Sequence, residues 1–172
     1  MANTTFDGPV RSKNGFINLG PGMTKSLTAD TTLSVQEHAG RILLLNDADG
    51  KFTLPSIVTT ADSAVAGPGS DPNNLNNIGA SFYFYIETLA TDLDIKTDGT
   101  DKFTGAVIIA VNDSSKKAFV PGATNDVITM TGTTKGGIVC SVLQITAIDT
   151  ANYLVHNSLL IGSGSIETPF AD

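Results

Sequence analysis

The stretch SFYFYIET, residues 81–88, alternates without a break. Phe82, Phe84 and Ile86 fall on one side of an extended chain, and Tyr83, Tyr85 and Glu87 on the other, because successive side chains of a strand point to opposite faces. Aromatic and β-branched residues fit that pleated, half-buried surface. The stretch therefore predicts a strand with one face in a core.

Working outward, the same period of two returns. TTLSVQ (31–36) sets Leu33 and Val35 against polar neighbours. RILLLN (41–46) is a short continuous apolar run, the pattern of a strand buried on both faces. KFTLP (51–55), DLDIKT (92–97), GAVIIAVN (105–112), KAFVP (117–121), DVITMTG (126–132), GIVCSVLQITAI (137–148) and NYLVHNSLLIG (152–162) complete the set. Turn signals separate them at short intervals, among them Asn112-Asp113-Ser114, Pro121-Gly122 and Gly136-Gly137. Regular short strands with no long helical period predict an all-β fold: an antiparallel β-sandwich, jelly-roll-like, or a barrel. Its interior is expected to hold Phe82, Phe84, Ile86, Val107, Ile109, Leu143, Ile145 and Leu154. LLLNDADGKFTL and LDIKTDGTDKFTG look alike and read as two similar hairpins, turning at Asp49-Gly50 and Asp98-Gly99.

Two segments fall outside the pattern. Residues 1–30 hold four glycines and two prolines, and their apolar residues occur singly. They read as an extended N-terminal arm that cannot bury enough surface by itself. Residues 31–172 form a single β domain, and TTADSAVAGPGSDPNNLNNIGA (59–80) reads as a long loop within it.

Composition narrows the function. Charged residues make up 16% of the chain and the formal net charge is −7. About 25% charge is usual, so polar surface here comes from Thr, Ser, Asn and Gly, which suits extended structure and close protein contact. An acidic chain whose only adjacent basic pair is Lys116-Lys117 disfavours nucleic acid as a partner. There is no secretory signal, and no apolar run approaches the ~20 residues that cross a bilayer, so a membrane partner is not expected. The chain reads as made and kept in a cytosol, or released by some route other than secretion.

No catalytic, cofactor-binding or metal-binding residues are assigned. Cys140 is the sole cysteine and sits in an apolar run, as a buried, inert thiol does. His38 and His156 stand alone in sequence, which points to surface or satisfied core histidines. Asp47 and Asp49 precede Gly50 as in a calcium loop, but the closing carboxylate of such a loop would fall on Ser56. Asp98 and Asp101 leave room for a weak surface calcium site. The glycines of GSGS (162–165) and LGPGMTK (19–25) lack the spacing of a nucleophile elbow or a phosphate loop. Tyr83 and Tyr85 share one strand face and read as an interface stripe, ahead of a ligand-stacking surface, because aromatics are enriched where proteins meet.

Longer phrases carry a resemblance. ANTTFDGPVRSKNGF (2–16) resembles the opening phrase of virion structural proteins of tailed bacteriophages. LLLNDADGKFTLPS (43–56), DKFTGAVIIAV (101–111), TGTTKGGIVCSVLQITAI (131–148), NYLVHNSLLIGSG (152–164) and ETPFAD (167–172) resemble small capsid-associated phage proteins, most of all capsid decoration (cement) proteins. The resemblance implies a non-enzymatic protein on the outer capsid surface of the virion, assembled in the host bacterial cytoplasm. Its implied partners are the major capsid protein of the same phage and itself, as a homotrimer. Phe6, Val10, Arg11, Lys13, Phe16 and Ile17 of the arm, with Tyr83 and Tyr85, are the expected interface residues. A tail-fibre, spike or glycan-binding module is the alternative.

Overall fold

A computed structural model describes residues 23–59, 77–111 and 115–172. From its first described residues the chain passes back and forth between two sheets. β1 (Thr24–Leu27) lies in the first and β2 (Thr31–Thr32) in the second. A single helical turn, α1 (Val35–His38), leads to β3 (Ile42–Leu45), which lies parallel beside β1. β4 (Lys51–Thr53) then lies parallel beside β2. β5 (Ser81–Ile86) and β6 (Leu93–Lys96) repeat the step, parallel to β3 and β4. Three successive pairs of strands are thus wound into two growing sheets.

The second half of the chain closes this wind with mostly antiparallel partners. β7 (Lys102–Gly105), β8 (Val107–Val111) and β9 (Ser115–Phe119) stay in the first sheet. β10 (Val127–Met130) crosses to the second, β11 (Val142–Ala147) and β12 (Asn152–Ile161) return, and β13 (Phe170–Ala171) ends in the second. The first sheet runs β1-β3-β5-β11-β12-β8-β9, with β7 also on β12, and the second runs β13-β10-β6-β4-β2.

One core fills the space between the sheets, and it follows the register. In the first sheet Leu43, Phe84 and Leu143 are cross-strand neighbours, as are Phe82, Ile145 and Val155. In the second, Phe52, Ile95, Ile128 and Phe170 form one row. Side chains this close across a sheet are its stabilising unit. The Tyr153 hydroxyl donates to the Pro55 carbonyl across 98 residues of chain. Burial of that ring pushes its phenol well above the ordinary value.

The all-β reading holds, and several finer expectations are corrected. The sheets are mixed, not antiparallel: six of the eleven described strand pairings are parallel. Neither sheet closes into a barrel, since each has two edge strands. The two look-alike segments are not hairpins. Each carries the chain from one sheet to the other, β3 to β4 and β6 to β7. RILLLN is not buried on both faces: Leu43 and Leu45 point inward while Ile42 is 39% exposed. Residues 35–36 are helical, because the Ser34 side chain accepts from the Glu37 amide and caps a turn. Residues 24–27, assigned to the arm, are a strand of the first sheet with Leu27 in the core.

Seven of the eight expected core residues are buried, and Leu154 is only half-buried. A bulge explains the exception. Val142 pairs with Leu159 but Gln144 pairs with His156, so β12 holds one extra residue, and Asn157 there has φ 46°. The slip reverses the alternation: Tyr153 and Val155 face inward before it, Leu160 after it.

Gly105 has a comparable part. Its φ of 94° separates β7 from β8, so the chain pairs first with Asn152–Val155 and then with Leu160–Ile161 of the same strand. The ends of the long loop are also fixed. Asn77 donates its amide to Val58 O at 3.0 Å, accepts the Val58 amide on Oδ1 at 2.8 Å, and donates Nδ2 to Ser56 O at 2.8 Å. Residues 60–76 between them lie outside the described residues.

Two outcomes test this architecture by urea unfolding. Phe84→Ala is expected to cost ~3–5 kcal/mol, because Phe84 is fully buried between Leu43 and Leu143. Gly105→Ala is expected to cost at least ~1–2 kcal/mol from the left-handed backbone alone, and more because the new Cβ would meet the Val155 carbonyl. A loss below about 1 kcal/mol in either variant contradicts the placement.

Candidate interaction surface

The outer side of the first sheet carries Tyr83 and Tyr85, the two expected interface residues that fall among the described residues. β3, β5 and β11 alternate strictly, so every residue between two core residues points away from the core. The pairing aligns them in two rows. Thr24, Ile42, Tyr83, Gln144 and His156 form one; Ser26, Leu44, Tyr85, Val142 and Leu159 form the other. Neither row holds a Lys, Arg, Asp or Glu. Leu159 is 45% exposed, and both tyrosines are half-buried.

Polar groups tie the first row together. Gln144 Nε2 donates to Ser81 Oγ at 2.6 Å and Thr146 Oγ1 donates to the same oxygen at 2.9 Å. Thr146 Oγ1 also lies 2.9 Å from His156 Nε2, and Asn157 Nδ2 donates to Gln144 Oε1 at 2.9 Å. Beside this network is an open depression of about 350 Å³ lined by Gly40, Arg41, Ile42, Ser81, Tyr83 and Gln144. Its walls are one aromatic ring, one aliphatic side chain, the Arg41 side chain and a few amide and hydroxyl groups.

Tyr85 borders the one cysteine. Its hydroxyl lies 3.4 Å from Cys140 Sγ, and that contact holds the phenol above its ordinary value. The expectation of a buried thiol is corrected: Cys140 is exposed. GIVCSVLQITAI is a strand only from Val142 onward. Gly136, Gly137 and Cys140 all have positive φ, so the chain turns there before β11 begins.

Of the expected interface residues, Tyr83 and Tyr85 share this face two residues apart. Phe6, Val10, Arg11, Lys13, Phe16 and Ile17 lie outside the described residues. Sequence reasoning missed Ile42, Leu44 and Leu159, because continuous apolar runs do not reveal which residues face out. Elsewhere, Asp98 is spent on its own turn: Oδ1 accepts the Thr100 and Asp101 amides and Oδ2 accepts the Ser56 hydroxyl. Asp101 accepts the Ile57 amide at 2.8 Å. Among the described residues no group of three His, Cys, Asp or Glu side chains is placed to hold a metal ion.

His38, at the end of α1, is buried. Its Nδ1 accepts the Ser34 amide at 2.9 Å, and among the described residues its Nε2 has no hydrogen-bond partner. Burial, with Lys25 and Arg41 nearby, lowers its pKa below the ordinary histidine value, and this outweighs the Ser34 carbonyl and Glu37, which favour the cation. A group whose folded pKa is depressed contributes stability above the unfolded value, ~6.5, that is lost as pH falls through the folded one. The urea midpoint is expected to fall between pH 7.5 and pH 5.5, and to fall less in His38→Leu. Equal falls in the two proteins would remove His38 as the cause.

Compared with known proteins, the chain matches no family model, no curated sequence and no solved structure.

Proposed function

We propose that the protein is a non-enzymatic virion structural protein of the capsid decoration (cement) class. It binds the outer surface of a tailed-phage head, with the major capsid protein as partner, and stabilises the shell through subunit contacts. The single observation that carries this reading is the outer face of the first sheet. Two five-residue rows without a Lys, Arg, Asp or Glu, built round Tyr83 and Tyr85, have the composition of an interface centre: aromatic, apolar and depleted of charge. The phrases quoted above, through their resemblance to capsid-associated phage proteins, supply the class. Phe6, Val10, Arg11, Lys13, Phe16 and Ile17 add attachment points on the opening segment. A homotrimer follows from the same resemblance, closed cyclic symmetry being the common solution for repeated subunits. Jelly-roll-like packing of the two sheets belongs to this reading, as do assembly in the bacterial cytoplasm and a place on the outside of the particle.

One observation favours a second reading. The depression beside Tyr83 combines an aromatic ring with the Gln144 amide and Arg41. That pattern also suits a glycan, as in a tail-fibre or spike module.

Sedimentation with expanded empty heads of the same phage separates the two. The intact chain is expected to pellet with the heads at a fixed ratio, as three copies per site. Tyr83→Ser with Tyr85→Ser, or deletion of residues 2–22, is expected to weaken pelleting at least tenfold while the protein stays folded. No binding to heads, together with retention on a glycan array, would overturn the decoration reading.

A further inference from the structure

We propose that the depression beside Tyr83 is a carboxylate-binding site, and that it takes an aspartate or glutamate side chain of a protein partner laid on the outer face of the first sheet. The inference rests on the reading of that face as a protein interface, and is independent of which protein the partner is.

The site follows from where the hydrogen-bond donors point. Asn157 Nδ2 donates to Gln144 Oε1 at 2.9 Å, Gln144 Nε2 donates to Ser81 Oγ at 2.6 Å, and Thr146 Oγ1 donates to the same oxygen at 2.9 Å. The network runs toward Ser81. A serine hydroxyl has two acceptor lone pairs and one proton. Ser81 Oγ already accepts twice, so its proton is what it has left, and no acceptor among the described residues takes it. Gln144 gives one Nε2 proton to Ser81 and keeps the other.

Arg41 lines the same depression and adds a planar fork of N–H donors with a permanent positive charge. Among the described residues it forms no ion pair. Glu37, close enough to feel its charge, is held by Lys25 at 2.6 Å. The lining therefore offers chiefly N–H and O–H groups without partners. Such a lining selects a ligand that accepts, and an ionised carboxylate is acceptor-only. Hydrogen bonds to a charged acceptor are roughly twice as strong as neutral ones, which favours a carboxylate over the water it displaces.

The surroundings choose the source. The row Leu44, Tyr85, Val142, Leu159 runs past the depression without a charge. Leu159 precedes Leu160, the partner of Ile109, so the row continues to Ile108, which is 44% exposed, and through it to Ala118 on β9. From β1 to β9 this floor crosses seven strands, a span of ~29 Å at ~4.8 Å per strand. A long uncharged floor beside one cationic depression fits a protein segment that sets a carboxylate among apolar side chains. At about 350 Å³ the depression is at the low end for small-molecule sites, ~300–1,000 Å³, and matches one side chain better than several sugar rings. A charge at the border of an uncharged face also fixes the register in which the partner lies.

Two peptides that differ at one position test the site: acetyl-Leu-Glu-Phe-amide and acetyl-Leu-Gln-Phe-amide, titrated into the isotope-labelled full chain. The glutamate peptide is expected to shift the side-chain amide of Gln144 and the backbone amides of Gly40 and Ser81 saturably, about tenfold more tightly than the glutamine peptide. Arg41→Gln is expected to abolish that preference. Equal binding of the two peptides, binding of neither, or a preference unchanged in Arg41→Gln overturns the proposal. Glucuronic acid is the third probe: if it binds at the same signals more tightly than the glutamate peptide, the site belongs to an acidic glycan and the protein partner is overturned. Failure of the decoration reading is read separately, by sedimentation with heads. A chain that prefers the glutamate peptide but does not pellet with heads upholds the site and removes decoration; one that pellets but does not distinguish the peptides does the reverse.

Discussion

From β3 to β6, each strand buries one face against a sheet to which it is not hydrogen-bonded. That single constraint organises the molecule. β3, β4, β5 and β6 belong alternately to the two sheets, so consecutive strands meet through side chains and not through backbone pairing. Backbone pairing is left to strands one full turn apart, which must then run parallel. The core is what connects neighbours in sequence, and the ladders connect neighbours in space. Losing a core ring such as Phe84 therefore loosens the link between the sheets as well as the packing in one of them.

The same logic explains what the sequence revealed. A period of two is set by which face of a strand is wet, and burial follows it closely in β5, β6 and β11. Strand existence and most of the core were therefore legible. Pairing direction was not, because Phe52 beside Ile95 looks the same in sequence whether the strands run together or opposed. Asp49-Gly50 and Asp98-Gly99 are honest turn signals, but a turn residue reports local backbone, not the sheet that the next strand joins. Leu154 was lost to a single extra residue near Asn157, whose effect on parity leaves no apolar signature. The short helix had a readable sign, Ser34 followed three residues later by Glu37, which the alternation of Leu33 and Val35 masked.

The candidate surface was half legible. Tyr83 and Tyr85 declare themselves by standing opposite Phe82 and Phe84. Their companions come from four other strands and are assembled only by register, so no local pattern marks them. Thr24 and Ile42, and Val142 and Leu159, are neighbours across the sheet and strangers in sequence. The charge-free character of the face is likewise a property of rows, each of which draws single residues from separate strands.

Asn77 closes a neck. It exchanges both backbone and side-chain hydrogen bonds with Ser56 and Val58, so the long loop leaves and rejoins the domain at one point. Closing a flexible loop depends only weakly on its length, each doubling adding about 0.6 kcal/mol. A neck held on the domain side keeps the two ends of the intervening segment together whatever its length. Between Val58 and Asn77, then, the chain offers a splice site: a second folded module with neighbouring ends could be carried there while the two sheets keep the register that Leu43, Phe84 and Leu143 define.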